Sequence, residues 1–190
     1  MEYSRSRPTI ELSLALVASL ALAIGSPYPD QMPLQHSATV LLGAYLVVQI
    51  RRRGIAPGHL RCLLGFMLLH AFAARWIYSH VPYDAWSKSV FGISITQTFH
   101  FRRNHFDRLV HFCYGLLATP HMGARFGKVV AKRNWAAYLA VEFVAATSVL
   151  YEFFEWGLTM VLSPDDIESY NGQQGDVWAA HKDMLCAIVG

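Results

Sequence analysis

Charged residues are scarce in this chain, at 15% of its 190 positions, against roughly 25% for an ordinary soluble domain. Cysteine is scarce too. Cys62, Cys113 and Cys186 are the three present, far apart and without a CxxC spacing, so neither a zinc ribbon nor a thiol redox motif is written here. No phosphate-binding loop, dinucleotide fingerprint or nucleophile motif is visible. The net charge of +3 is small, and its basic residues sit at the ends of apolar blocks rather than in a stripe interleaved with aromatics. That pattern excludes a nucleic-acid binder as the leading reading.

What is abundant is hydrophobic sequence, 54% of the chain, arranged in long blocks. A helix crossing a hydrocarbon core of about 30 Å needs about 20 residues, because the backbone polar groups must be satisfied within the segment. The blocks predict an all-α, polytopic transmembrane bundle in a single domain over residues 1–190. Its spans lie at about 10–26, 34–50, 60–78, 106–122 and 135–162, with a sixth from 177 to 190. The first block also has the outline of a signal peptide, with Arg5 and Arg7 ahead of it and Ala21 and Ala23 at cleavage-like spacing. The blocks that follow favour an uncleaved first helix. The sixth would be about 21 Å long at 1.5 Å per residue, so five complete spans and a partial sixth are expected, as though the chain were cut.

Basic residues gather in cytoplasmic loops of membrane proteins. With the N-terminus inside, ten of the sixteen Lys and Arg fall inside: Arg5, Arg7, Arg51, Arg52, Arg53, Arg61, Arg125, Lys128, Lys132 and Arg133. The stretch after the fifth span carries Asp165, Asp166 and Glu168 and no basic residue, whereas the loop 79–105 does hold Lys88, Arg102 and Arg103. An inner bacterial membrane with a cytoplasmic N-terminus is the expected location.

That topology brings ionisable residues from four helices to a similar depth at the extracytoplasmic end. Arg75 and Tyr78 share a face of the third helix. Asn104, Asp107, Arg108 and His111 form a stripe opening the fourth, Glu152 and Glu155 lie three apart in the fifth, and Asp176 and Asp183 lie seven apart in the sixth. Such side chains cost about 2.5 to 3.5 kcal/mol each at mid-membrane, so they face partners, water or a ligand. Asp107, His111, Glu152 and Glu155 are the candidate catalytic groups and, with carboxylate and imidazole donors, the candidate ligands of a divalent metal. Arg75, Tyr78, Asn104, Arg108, Asp176 and Asp183 are the candidate substrate-binding or ion-pairing residues. Three functions remain open: an enzyme acting on a lipid or lipid-linked substrate, a proton- or cation-coupled transporter, and a structural or partner-binding protein whose polar cluster fixes helix register. His70 is expected to be a satisfied core histidine. His36, His59, His80, His100 and His121 are assigned no role.

Four ordered stretches carry a family resemblance over nearly the whole chain. They are His70 with Arg75 to Pro82, Arg103 to Arg108 with His111, Tyr151-Glu152 with Glu155-Trp156, and Gln174 to Trp178 with Asp183-Met184. On these the chain resembles the YjdF-like family of bacterial inner-membrane proteins, whose activity is uncharacterised. The resemblance implies a complete final helix, and it implies an acid and an amide where this chain has Ala179 and His181. A weaker likeness, in Glu152 with Glu155 and in Asp183 with Ala187 and Gly190, is to VanZ-like membrane proteins. It implies action at the outer leaflet.

Overall fold

The computed structural model describes residues 6–161 and 174–190, and all regular secondary structure within them is helical. Arg5, the acidic stretch Asp165, Asp166 and Glu168, and the end of the fifth predicted span lie outside the described residues. Five helices carry the architecture: α1 Ser6–Ala23, α3 Ser37–Arg51, α4 Pro57–Arg75, α7 Phe106–Phe126 and α8 Arg133–Leu158. The one-turn helix α2 Met32–Gln35 leads into α3, and α9 Ala179–Val189 comes last. The segment 79–105, read from sequence as a plain loop, holds two short helices, α5 Tyr83–Phe91 and α6 Ile95–Thr98. Their caps explain them. Gly92 takes a left-handed φ of 69° that closes α5, and the Ser94 hydroxyl accepts from the Gln97 amide to start α6.

Local chemistry also sets the longer elements. Pro57 supplies the fixed φ suited to the first turn of α4. At the other end, Ile77 and Tyr78 both take positive φ, 41° and 54°, which turns the chain sharply after Arg75. Pro120 lies inside α7 and removes one rung of its hydrogen-bond ladder.

The helices pack as two groups, α1 with α3 and α4, and α7 with α8 and α9, joined by the contact of α4 with α7. Leu12, Leu46, Leu60, Met67, Ala118, Val144 and Ala187 form the apolar centre. The α7–α9 contact is backbone against backbone. A Cβ on Gly115 would meet the Ala187 carbonyl oxygen at 2.0 Å, so only glycine permits this approach. Small residues at close helix crossings are a habit of membrane bundles, where van der Waals contact must stand in for the hydrophobic effect.

Polarity runs opposite to that of a soluble protein. Leu14, Leu20, Leu41, Leu150, Phe153 and Val189 point outward, while Gln35, Gln49, His70, His111, His121, Glu152 and Asp183 are buried. Among the described residues two helices, α1 and α8, are long and apolar enough by hydropathy to cross a membrane. The apolar helix α3, at 15 residues, is shorter than a full crossing.

Candidate functional site

The start of α7 presents Asp107, Arg108 and His111 within its first two turns, and the C-terminal half of α8 presents Glu152 and Glu155. The face shared by residues three and four apart brings these together as the sequence predicts. His111 Nε2 lies 3.7 Å from Asp107 Oδ1 and 3.7 Å from Glu152 Oε1, in ion-pair range of both and in hydrogen-bond contact with neither. Glu155 bonds to Tyr151, whose ring stands edge-on to His111. From α9, Asp183 reaches the same centre, its Oδ1 3.6 Å from Arg108 Nε. Arg108 also holds Asp176 at 2.5 Å.

Several buried polar atoms of this cluster have no hydrogen-bond partner: Glu152 Oε1, Asp183 Oδ1, Arg108 Nε and, one turn below, Ser148 Oγ. Buried polar atoms are nearly always satisfied in folded proteins, so a group of four in one place marks a site open to water or ligand. Among the described residues, no group of three or more His, Cys, Asp or Glu side chains is arranged to hold a metal ion.

Asp176 and His105 form the rim. Lys182 at 2.8 Å, the Trp178 amide and Arg108 together hold the Asp176 carboxyl well below the usual carboxylate range. It caps the entry to α9 through the Trp178 amide. Burial, then Arg108 and Arg103, push the His105 imidazole down, and its ring stacks on Phe101 with centroids 4.1 Å apart.

Three predicted members stand elsewhere. Arg75 donates to the carbonyls of Leu22, Ile24 and Gly25 at 2.8 to 2.9 Å, so it caps the C-terminal end of α1 instead of pairing with an acid. The Tyr78 hydroxyl bonds His70 Nδ1, whose Nε2 in turn donates to the Gln35 carbonyl. That arrangement fixes the His70 tautomer and makes it a satisfied core histidine. Asn104 bridges loops, donating from its side chain to the Val81 carbonyl and accepting from the Phe106 amide. Arg103 is the member that sequence reasoning missed. It is buried just ahead of α7 and acts electrostatically on Asp107 and Asp183. Its place in the stretch from Arg103 to Arg108 was the available signal.

Behind the cluster lies a cavity of about 600 Å³, walled by α3, α4, α7 and α8. His111, Tyr151 and Ser148 line one end, and Tyr45, Gln49, His121 and Arg125 line the other. Leu42, Leu63, Phe66, Ala118 and Phe143 form an apolar middle. His121, which the sequence left without a role, is almost wholly buried and bonds the Tyr45 hydroxyl at 2.6 Å.

Over 195 aligned residues the chain is 27% identical to the inner membrane protein YjdF of Escherichia coli (strain K12), covering 97% of this chain and 86% of that protein. No solved structure matches it. Residues 9–190 match the family model described as "Predicted membrane protein (DUF2238)". Buried polar side chains under an apolar exterior fit that description, and the chain belongs to the DUF2238 family of membrane proteins.

Proposed function

We propose that this protein is a multi-pass inner-membrane enzyme, a single helical domain with a cytoplasmic N-terminus, whose outer-end cluster performs acid/base chemistry on a lipid or lipid-linked substrate. The topology is supported by the bundle's basic end, where Arg51, Arg52, Arg53, Arg125, Lys128, Lys132 and Arg133 lie at the helix ends away from the acidic cluster. In this topology α1, α3, α4, α7 and α8 cross the bilayer and α9 begins a sixth crossing.

One observation carries the functional reading. His111 stands between Asp107 and Glu152 and at the same time lines a cavity sized for a small molecule. An imidazole with a carboxylate on either side passes a proton to or from a bound group and returns it to a neighbour. Asp107, Glu152, Glu155 and Asp183 face Arg103 and Arg108, so four carboxylates oppose two guanidiniums. The two excess negative charges are offset by protons shared across the cluster, or by a divalent ion drawn in with substrate. Arg103 and Arg108 supply charge for an anionic head group at the rim.

The test is lipid analysis of inner-membrane vesicles from cells expressing wild type or His111→Asn at equal levels. A lipid species that changes with wild type and returns to baseline with the variant is expected. Identical lipid profiles with folded wild type and folded variant overturn the enzyme reading, and metal bound stoichiometrically and lost in Glu152→Gln would turn it to metal-dependent catalysis. A proton-coupled transporter is the less favoured reading, because the middle of the cavity carries no acid or base along Leu42, Leu63, Phe66 and Ala118.

A further inference from the structure

We infer that the cavity is a slot for one hydrocarbon chain of a lipid, entered sideways from the bilayer between α3 and α8, with the lipid's polar end at His111 and its chain tip stopped by the Tyr45–His121 pair. The inference rests on the outer-end site proposed above and adds the class of ligand and its orientation.

Three observations carry it. The first is shape. On α7 the lining residues His111, Tyr114, Ala118, His121 and Arg125 recur every three or four positions, so one face of that helix walls the cavity from end to end. The fourteen residue steps from His111 to Arg125 amount to about 21 Å at 1.5 Å each, a long, narrow void rather than a round one.

The second is chemistry. The middle is hydrocarbon and aromatic, contributed by Leu41, Leu42, Leu63, Phe66 and Phe143, and its one polar pair, Tyr114 with Thr147, is satisfied internally at 2.6 Å. A void of this lining does not hold ordered water, which needs two to four polar partners. Its natural content is apolar. The opening agrees, since α3 packs on α1 and α4 while the α7–α8 pair stands across the gap, and Leu41 on the lip of that gap is 72% exposed.

The third is the contrast between the ends, which sets the orientation. At the outer end the cavity-lining Ser148 Oγ lacks a hydrogen-bond partner and His111 lines the wall without one, while Glu152 Oε1, Arg108 Nε and Asp183 Oδ1 lie unbonded behind them, so a polar group arriving there gains hydrogen bonds. At the inner end the Tyr45 hydroxyl and His121 Nε2 already satisfy each other, Gln49 Oε1 is the unpartnered buried atom, and the Arg125 guanidinium, exposed to solvent, closes the cavity beyond them. His121 is backed by His59, with ring centroids 5.9 Å apart. A closed polar pair is a poor neighbour for a methyl terminus and a firm stop for it. The slot therefore selects chain length.

The probe is palmitate carrying a photoactivatable diazirine near its methyl end, added to the purified full-length protein in detergent and mapped by peptide mass spectrometry. Labelling concentrated on α3 and α7 around Tyr45, Ala118 and Met122, reduced at least fivefold by Leu42→Trp, is the expected result. Competition by laurate, palmitate and arachidate should favour one length, and His121→Ala should move that preference towards the longer chain. Label at Val110 and Tyr151 would overturn the orientation. Label spread over the outward faces at Leu14 and Leu150, unchanged by Leu42→Trp, would overturn the slot. If Leu42→Trp fails to fold, the wild-type label map decides alone. A wild-type protein labelled in the slot but without any lipid chemistry refutes the enzyme reading while the slot stands, and lipid chemistry without the label refutes the slot.

Discussion

The helices α1, α3 and α4 and the helices α7, α8 and α9 bury polar side chains in nearly equal measure and treat them in opposite ways. In the first group the ionisable side chains Arg75 and His70 are matched to fixed neighbours, and Gln49 Oε1 on α3 is the exception among its buried polar atoms. Arg75 holds the Leu22 carbonyl of α1 and the Ile24 and Gly25 carbonyls just beyond it, and His70 has one ring nitrogen on Tyr78 and the other on the Gln35 carbonyl. In the second group His111 stands 3.7 Å from Asp107 and from Glu152, and Asp183 stands 3.6 Å from Arg108, with atoms lacking hydrogen bonds among them. Distances this long leave electrostatic attraction without a hydrogen bond's directionality, so His111, Asp107, Glu152 and Asp183 are held in place by the scaffold, which the Arg108–Asp176 pair at the rim helps to tie, and not by contacts with one another. The first group's polar residues serve the fold, and the second group's are available for chemistry.

If the scaffold holds the second group, breaking the scaffold should do the greatest harm. Gly115→Val puts a side chain into the Ala187 carbonyl, and that backbone has no room to retreat without moving α9. The expected cost is about 3 kcal/mol or more, enough to lose Asp183 from the cluster and much of the folded protein. Size-exclusion and thermal unfolding in detergent would register it. A monodisperse variant with wild-type Tm would show that the α7–α9 crossing is not as close as described.

The next effect separates the two groups directly. Arg75→Ala leaves three carbonyls at the end of α1 without a donor and should cost about 2 kcal/mol, since hydrogen bonds to a charged group are worth about 1.5 to 3 kcal/mol. Glu152→Gln, although it alters a more deeply buried charge, should leave stability within about 1 kcal/mol of wild type or raise it, because a poorly paired buried carboxylate is a burden on the fold. Thermal unfolding of the two variants side by side is the measurement. Equal losses would make the acidic cluster another staple and erase the distinction between the groups.

Much of this was readable in advance, and the failures have a common cause. Hydropathy blocks predicted spans at 10–26, 60–78 and 106–122, and the helices lie at Ser6–Ala23, Pro57–Arg75 and Phe106–Phe126. Residues on one helix face, such as Asp107 with His111, were grouped correctly because 3.6-residue periodicity is a property of the chain itself. Arg75 and Tyr78 were wrongly joined to them. Equal depth in a bundle does not mean equal azimuth, and the rotation of α4 relative to α7 depends on packing that no local pattern reports. The cavity was invisible for the same reason, being the space left where α3 does not close on α7 and α8. The missed helices α5 and α6 differ, since Gly92 and Ser94 were legible caps in a stretch too short and polar to attract notice.

The smallest expected effect extends the first group's habit to the segment between the groups. The Asp84 carboxylate accepts from the Thr96 amide at 2.8 Å and the Ser94 hydroxyl at 2.9 Å and pairs with Lys88 at 3.2 Å, tying α6 to α5. The Thr96 amide above all, with Ser94 and Lys88, lowers its pKa from 3.8 to about 2. A carboxyl more acidic when folded than when unfolded stabilises the ionised, folded form. Its contribution is therefore complete above the unfolded value of 3.8 and fades as pH falls towards 2. Asp84→Ala should accordingly speed cleavage of the α5–α6 segment by pepsin at about pH 4.5, and by about pH 2 most of the difference from wild type should be gone, because the native carboxyl is then protonating as well. A difference that persisted undiminished in acid would mean that side-chain packing, and not the carboxylate's hydrogen bonds, holds α6 in place.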